Sequence, residues 1–118
     1  MRPVKVALCQ LDIAEEKAVN LSRAAELVGQ AARAQADFAI LPEMFVCPFA
    51  NCNFRPNAEE AGGATVQFLS NLAKYHGLYL VAGSIPELNG GKVGVVTASI
   101  AYEYAKDAFP EDTSFMKL

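Results

Sequence analysis

Apolar and polar positions change their rhythm several times along the chain. Residues 3–10 alternate through Val4, Val6 and Leu8 and are rich in β-branched residues, which predicts a strand. Residues 15–35 switch to a helical period. Leu21, Ala25, Val28 and Ala32 recur at three- and four-residue spacing, and Ala and Leu favour helix. Glu15 and Glu16 open this stretch, where the helix dipole favours negative charge. Residues 36–42 are nearly all apolar and end at Pro42, a pattern that predicts a strand covered on both faces. Residues 46–63 hold three asparagines, two prolines and paired glycines, and read as loop.

The helical period returns over 64–77, with Val66, Leu69 and Leu72 or Ala73 facing inward and Gly77 suited to the C-terminal end. Residues 78–87 predict a third strand and 88–92 a turn. Beyond them the pattern predicts a strand over 93–98, a helix over 99–109 opened by Ser99, a turn at 110–112 and a strand over 113–118. Strands and helices that alternate in this way argue for α/β layers.

Composition narrows the function classes. A chain of 118 residues suits one domain, and 53% hydrophobic against 19% charged residues indicates a buried core rather than disorder. The formal charge of -3 leaves no basic footprint, so nucleic acid is not an expected partner. No apolar stretch reaches spanning length and no signal-peptide pattern opens the chain, so the expectation is no membrane partner and a cytoplasmic location. Three cysteines, an odd number, suit a reducing compartment better than a disulfide framework.

One position conflicts with its surroundings. Glu43 follows Leu41-Pro42 and precedes the apolar Met44-Phe45-Val46. A bare carboxylate in an apolar setting costs several kcal/mol unless it reaches water or a partner. Lys92, Lys74 and Arg55 are the first cations to consider as that partner. Ligands in open α/β sheets gather beyond the carboxyl ends of strands, and Glu43 stands just past such an end, where it would serve as a general base. The competing reading is a solvated loop residue.

Other candidates carry less. Cys47 and Cys52 lack a second Cys or His pair, and His76 is the sole histidine, so no metal or cofactor is expected. Cys47 would become a nucleophile only if Glu43, four residues away, faced it. Cys9 lies in a predicted strand and suits the core. His76 suits a helix C-terminus. Residues 90–94 have no trailing Lys-Ser/Thr and precede a strand, which excludes a phosphate loop.

In order, "VKVALCQLD" at 4–12, "NL" at 20–21, "ADFAILPE" at 36–43 and "LAKYHGLYLVAGSIPE" at 72–87 resemble the N-terminal part of the nitrilase superfamily, the carbon-nitrogen hydrolases. "LPEMFVCPF" and "GSIPE" are most similar to the aliphatic amidase and ω-amidase branches. The resemblance covers residues 3 to about 90. It implies an α-β-β-α sandwich that hydrolyses a small amide or nitrile through a Glu, a Lys and a Cys. The Glu matches Glu43. Neither the Lys motif nor the Cys elbow of the family is present, and the Cys position would fall near Ala98. Residues 93–118 resemble instead a strand-helix-strand segment of the α subunit of indolepyruvate and related 2-oxoacid ferredoxin oxidoreductases.

The expectation is therefore an α/β fold: a partial α-β-β-α sandwich of nitrilase type over 1–90, extended by a foreign strand-helix-strand unit over 91–118 packed on the same domain. The expected function is that of an amidase-like carbon-nitrogen hydrolase, truncated and catalytically incomplete. The alternatives are a non-catalytic designed or chimeric α/β scaffold, and a small cysteine hydrolase using Cys47 with Glu43. A half-sandwich would expose an apolar sheet face, which favours self-association.

Overall fold

A computed structural model describes residues 3–89, 92–97 and 114–117. Strands β1 (Val6–Leu8), β2 (Phe38–Ile40) and β3 (Tyr79–Val81) form a parallel sheet in the order β1-β2-β3. Parallel neighbours need long crossovers. Helix α1 (Lys17–Arg33) supplies the first, and α2 (Asn51–Asn57) with α3 (Ala64–His76) the second. A second sheet holds β4 (Ile85–Asn89), β5 (Lys92–Thr97) and β6 (Ser114–Lys117), with β4 antiparallel and β6 parallel to β5. The fold is α/β, as the alternation predicts.

The register explains the packing. Ala7, Ala39 and Leu80 align across the parallel sheet, and the small side chains of Ala7 and Ala39 let the helices approach. Ala39 is fully buried, together with Ala24 and Val28 of α1. The other face aligns Val6 with Phe38 and Tyr79, and Leu8 with Ile40 and Val81. Val6, Leu8, Tyr79 and Val81 are exposed there, and the Phe38 and Tyr79 rings stack with centroids 5.0 Å apart. The run at 36–42 is thus covered through Ala39 and Leu41, whereas Phe38 and Ile40 are half-buried.

Several elements depart from the sequence pattern. The inward stripe of α1 is Asn20, Ala24, Val28 and Ala31, turned by one position from the predicted Leu21, Ala25 and Ala32. Asn20 draws the stripe round because its amide is satisfied inside: it accepts from Ala14 N (2.7 Å) and donates to Ala14 O (2.9 Å) and Val46 O (3.0 Å). In α3 the buried residues are Thr65 and Leu69; Leu69 faces inward as predicted, whereas Val66 is exposed. The predicted loop 46–63 contains α2, which its asparagines and Pro56 conceal. Phe54 anchors that turn in the core, and Asn53 Nδ2 donates to Pro48 O. The predicted strand over 78–87 is two strands in two sheets, because Gly83 takes φ +71° between them. Gly77, with φ +64°, ends α3 as expected. The predicted helix 99–109 and turn 110–112 lie outside the described residues.

The loop between α2 and α3 is fixed by Glu59. Gly63, the cap residue of α3, has no side chain to offer the first turn. Glu59 takes that role: Oε1 accepts from Thr65 N (2.7 Å) and Oε2 accepts from Thr65 Oγ1. Lys17 Nζ of α1 lies 2.7 Å from the same Oε2 and also donates to Asn57 O (2.6 Å). A Cβ on Gly63 would stand 2.8 Å from Glu59 Oε1, so the side chain that cannot cap must also stay absent. The Glu59 backbone reaches the second sheet, with Leu88 N donating to Glu59 O (2.8 Å). One residue thereby joins α1, α3 and β4.

Burial pushes the Glu59 carboxyl upward, but the Lys17 and Thr65 hydrogen bonds and the Lys17 charge outweigh it and hold it below the ordinary 4.5. A depressed folded value means that this stabilisation is present above the unfolded value and lost as pH falls through the folded one. Glu59→Gln is expected to cost about 1–3 kcal/mol in urea melts at pH 7. The difference from wild type should shrink as pH drops below about 4, which a melt series across that range will show.

Candidate active site

Two strand ends meet at one point on the carboxyl edge of the parallel sheet. β2 ends at Ile40 and leads through Leu41 and Pro42 to Glu43; β3 ends at Val81 and leads through Ala82 and Gly83 to Ser84. The backbones touch: a Cβ on Gly83 would stand 2.8 Å from both Pro42 O and Glu43 Cα. Only glycine fits that approach, and its positive φ also suits glycine.

Glu43 is exposed, whereas Met44, Phe45, Val46 and Cys47 are buried to 1% or less exposure. The separation happens at Met44, which takes φ +51°. A residue other than glycine in that left-handed region is strained and persists only where its surroundings over-determine it. Burial of the four-residue run supplies the restraint, and Asn20 Nδ2 grips Val46 O from α1. The charge sits beside apolar neighbours because the chain reverses direction between them.

Among the described residues Glu43 also has a partner, and it is a hydroxyl. Ser84 Oγ donates to Glu43 Oε1 at 3.1 Å, and Ser84 is fully buried. The Lys92 side chain lies outside the described residues. Beside Pro42 lies a cleft of about 500 Å³ lined by Gln10, Leu11, Asp12 and Pro42. Gln10 to Asp12 follow β1, so the ends of β1 and β2 supply the cleft and the carboxylate, and the end of β3 supplies the Ser84 hydroxyl.

Cys47 sits differently. Its side chain is fully buried, and no hydrogen bond joins it to Glu43 among the described residues. Burial pushes the thiol above its ordinary 9.0, against the pull of the Lys17 ammonium. Cys9 is raised in the same way, chiefly by burial. Cys9, Cys47 and Cys52 are all free, and Cys52 alone is exposed. No group of three or more His, Cys, Asp or Glu residues that could hold a metal ion occurs among the described residues. No helix among them is long and apolar enough to cross a membrane.

Sequence reasoning singled out Glu43 and missed Ser84, Gly83, Asn20, Lys17 and Glu59. "GSIPE" and "NL" marked two of these places without showing what the residues touch.

A carboxylate at the carboxyl edge of a parallel α/β sheet stands where open sheets of this class commonly take their ligands. Residues 5–104 match the carbon-nitrogen hydrolase family, and the chain belongs to it. It is 44% identical over 93 residues to omega-amidase NIT2 of Danio rerio, a match covering 79% of this chain and 34% of that one. The Mus musculus omega-amidase NIT2 is 41% identical over the same shares. Among solved structures, a CN-hydrolase superfamily protein of Xanthomonas campestris, carrying an arsenic adduct in its active site, superposes with a TM-score of 0.69 at 26% identity. That superposition covers 79% of this chain and 34% of the other. The chain thus spans about a third of the length of the relatives it matches. The family match enters the stretch 93–118, and the likeness of that stretch to a ferredoxin oxidoreductase subunit is not shown.

The burial of the thiols sets a labelling order. With an aromatic disulfide reagent at neutral pH, Cys52 is expected to react at once, and Cys9 and Cys47 only on unfolding. Rapid labelling of Cys47 in the native protein would contradict its placement and favour a nucleophilic role.

Proposed function

We propose that this chain supplies the general base of an amidase-type carbon-nitrogen hydrolase site, with Glu43 as that base and a small aliphatic amide as substrate. The observation that carries the reading is Glu43 itself, exposed beside a strand-end cleft and oriented by a buried hydroxyl. The family membership and the 44% identity to an omega-amidase support the amide as substrate. In this chemistry the base takes the proton of a cysteine thiol, and the sulfur attacks the amide carbon. The C–N bond breaks, ammonia leaves with the proton, and a thioester forms. The base then deprotonates a water that opens the thioester and returns the thiol, while a lysine stabilises the oxyanion.

The lysine and cysteine motifs of that triad are absent from these 118 residues. On this reading residues 1–90 form the N-terminal part of the hydrolase domain, and 91–118 extend it. The isolated chain is expected to release no ammonia from short aliphatic amides or dicarboxylate monoamides above buffer, because loss of cooperating groups removes most of the rate. Thiol-dependent turnover would overturn that incompleteness. Glu43 is tested by substituting residues 1–93 of this chain for the matching stretch of an omega-amidase. The hybrid should turn over, and Glu43→Gln should lower its kcat by roughly 10²–10⁴. A folded, active hybrid indifferent to Glu43→Gln would end the reading.

The exposed face of Val6, Leu8, Tyr79 and Val81 bears on the isolated chain as well. We propose a second copy of the same chain as its cover. A patch of about 500 Å² on each copy brings the pair near the roughly 1,000 Å² that a specific interface needs. Leu8→Lys with Tyr79→Lys should convert a dimer into a monomer in light scattering. A wild-type monomer at high concentration would contradict this.

A further inference from the structure

We propose that Ser84 is a positioning residue for Glu43, fixing the orientation of the carboxylate at the carboxyl edge of the sheet; the inference rests on the reading of Glu43 as the base. Ser84 is fully buried, and a buried hydroxyl needs a partner. Its hydroxyl donates to Glu43 Oε1, at 3.1 Å. This bond crosses from the end of β3 to the end of β2, joining residues 41 positions apart.

Three backbone features bring the two side chains together. Gly83 lets the β3 end lie against Pro42 and Glu43, since a Cβ there would collide at 2.8 Å. Its φ of +71° turns the chain so that Ser84 follows at the contact. Met44, at φ +51°, sends the next residues into the core and leaves Glu43 at the surface. An exposed glutamate normally samples several rotamers. Here one carboxylate oxygen is held by Ser84. A base held in one orientation before substrate arrives loses less freedom when it acts. Ser84 need not touch the substrate: it acts through Glu43.

The test is NMR of the full 118-residue chain, reading the three-bond couplings of Glu43 Cγ to its own backbone nitrogen and carbonyl carbon. Wild type is expected to show the limiting values of a single χ1 rotamer. Ser84→Ala removes the donor from a site where Glu43 can turn to water, so the fold should persist. The couplings should then move to rotamer-averaged values while amide shifts outside 41–47 and 82–86 stay put. Ser84→Thr, which keeps the hydroxyl, should restore the single rotamer. Averaged couplings in wild type, or unchanged couplings in Ser84→Ala, would overturn the proposal. The wild-type measurement decides by itself if a variant does not fold. The couplings report orientation whether or not Glu43 is a base, so this result is separable from the hybrid-enzyme assay.

Discussion

The contact between two strand ends at Gly83 governs the rest of this structure. β2 and β3 are parallel neighbours only three residues long, so their hydrogen bonds alone hold little. Past the sheet, the two chains must diverge into different tasks. One dives into the core as Met44 to Cys47, and the other leaves for the second sheet as β4. The absence of a side chain at Gly83 lets them touch once before parting. Glu43 and Ser84 flank that contact, which is why a surface carboxylate and a buried hydroxyl find each other.

A second set of polar interactions holds the frame around this point. Lys17, Asn20, Glu59 and Thr65 come from α1, α3 and the loop between α2 and α3, and each has a named partner. Asn20 ties α1 to the backbone of Val46, three residues beyond Glu43. Glu59 ties α1 to α3 through its side chain and to β4 through its backbone. Partly buried charges are costly unless satisfied, and Lys17 and Glu59 satisfy each other. The apolar core sets the stability of this layer; the polar set determines which helix end meets which loop.

The layer order was legible because period and composition report it directly. Alternation at 3–10, a helical period at 15–35 and an apolar run ending at Pro42 each found their element, with ends shifted by a few residues. Glu43 was legible as a charge out of place. Its partner was not, since Ser84 is joined to it only after two strands align, and a serine in "GSIPE" carries no local signal of burial. The same holds for Asn20 and Thr65, which occupy the core-facing positions of α1 and α3 where hydrophobic periodicity favoured Leu21 and Val66. Helix α2 was hidden by Asn and Pro, whose propensity was overridden by Phe54 in the core. The split of 78–87 was hidden because Gly83 reads as one weak residue within a strand pattern.

The strand-end contact can be tested by comparing two glycines. Gly77 and Gly83 have nearly equal positive φ, +64° and +71°, but a Cβ on Gly77 meets nothing within 4 Å, whereas one on Gly83 meets Pro42 O and Glu43 Cα at 2.8 Å. Alanine at either position incurs the left-handed strain, about 1–2 kcal/mol. Only at Gly83 must it also force two backbones apart. In urea melts Gly83→Ala is expected to destabilise the protein by at least twice as much as Gly77→Ala. Equal costs for the two would show that the strand ends do not touch, and the account of how Glu43 is held would fail.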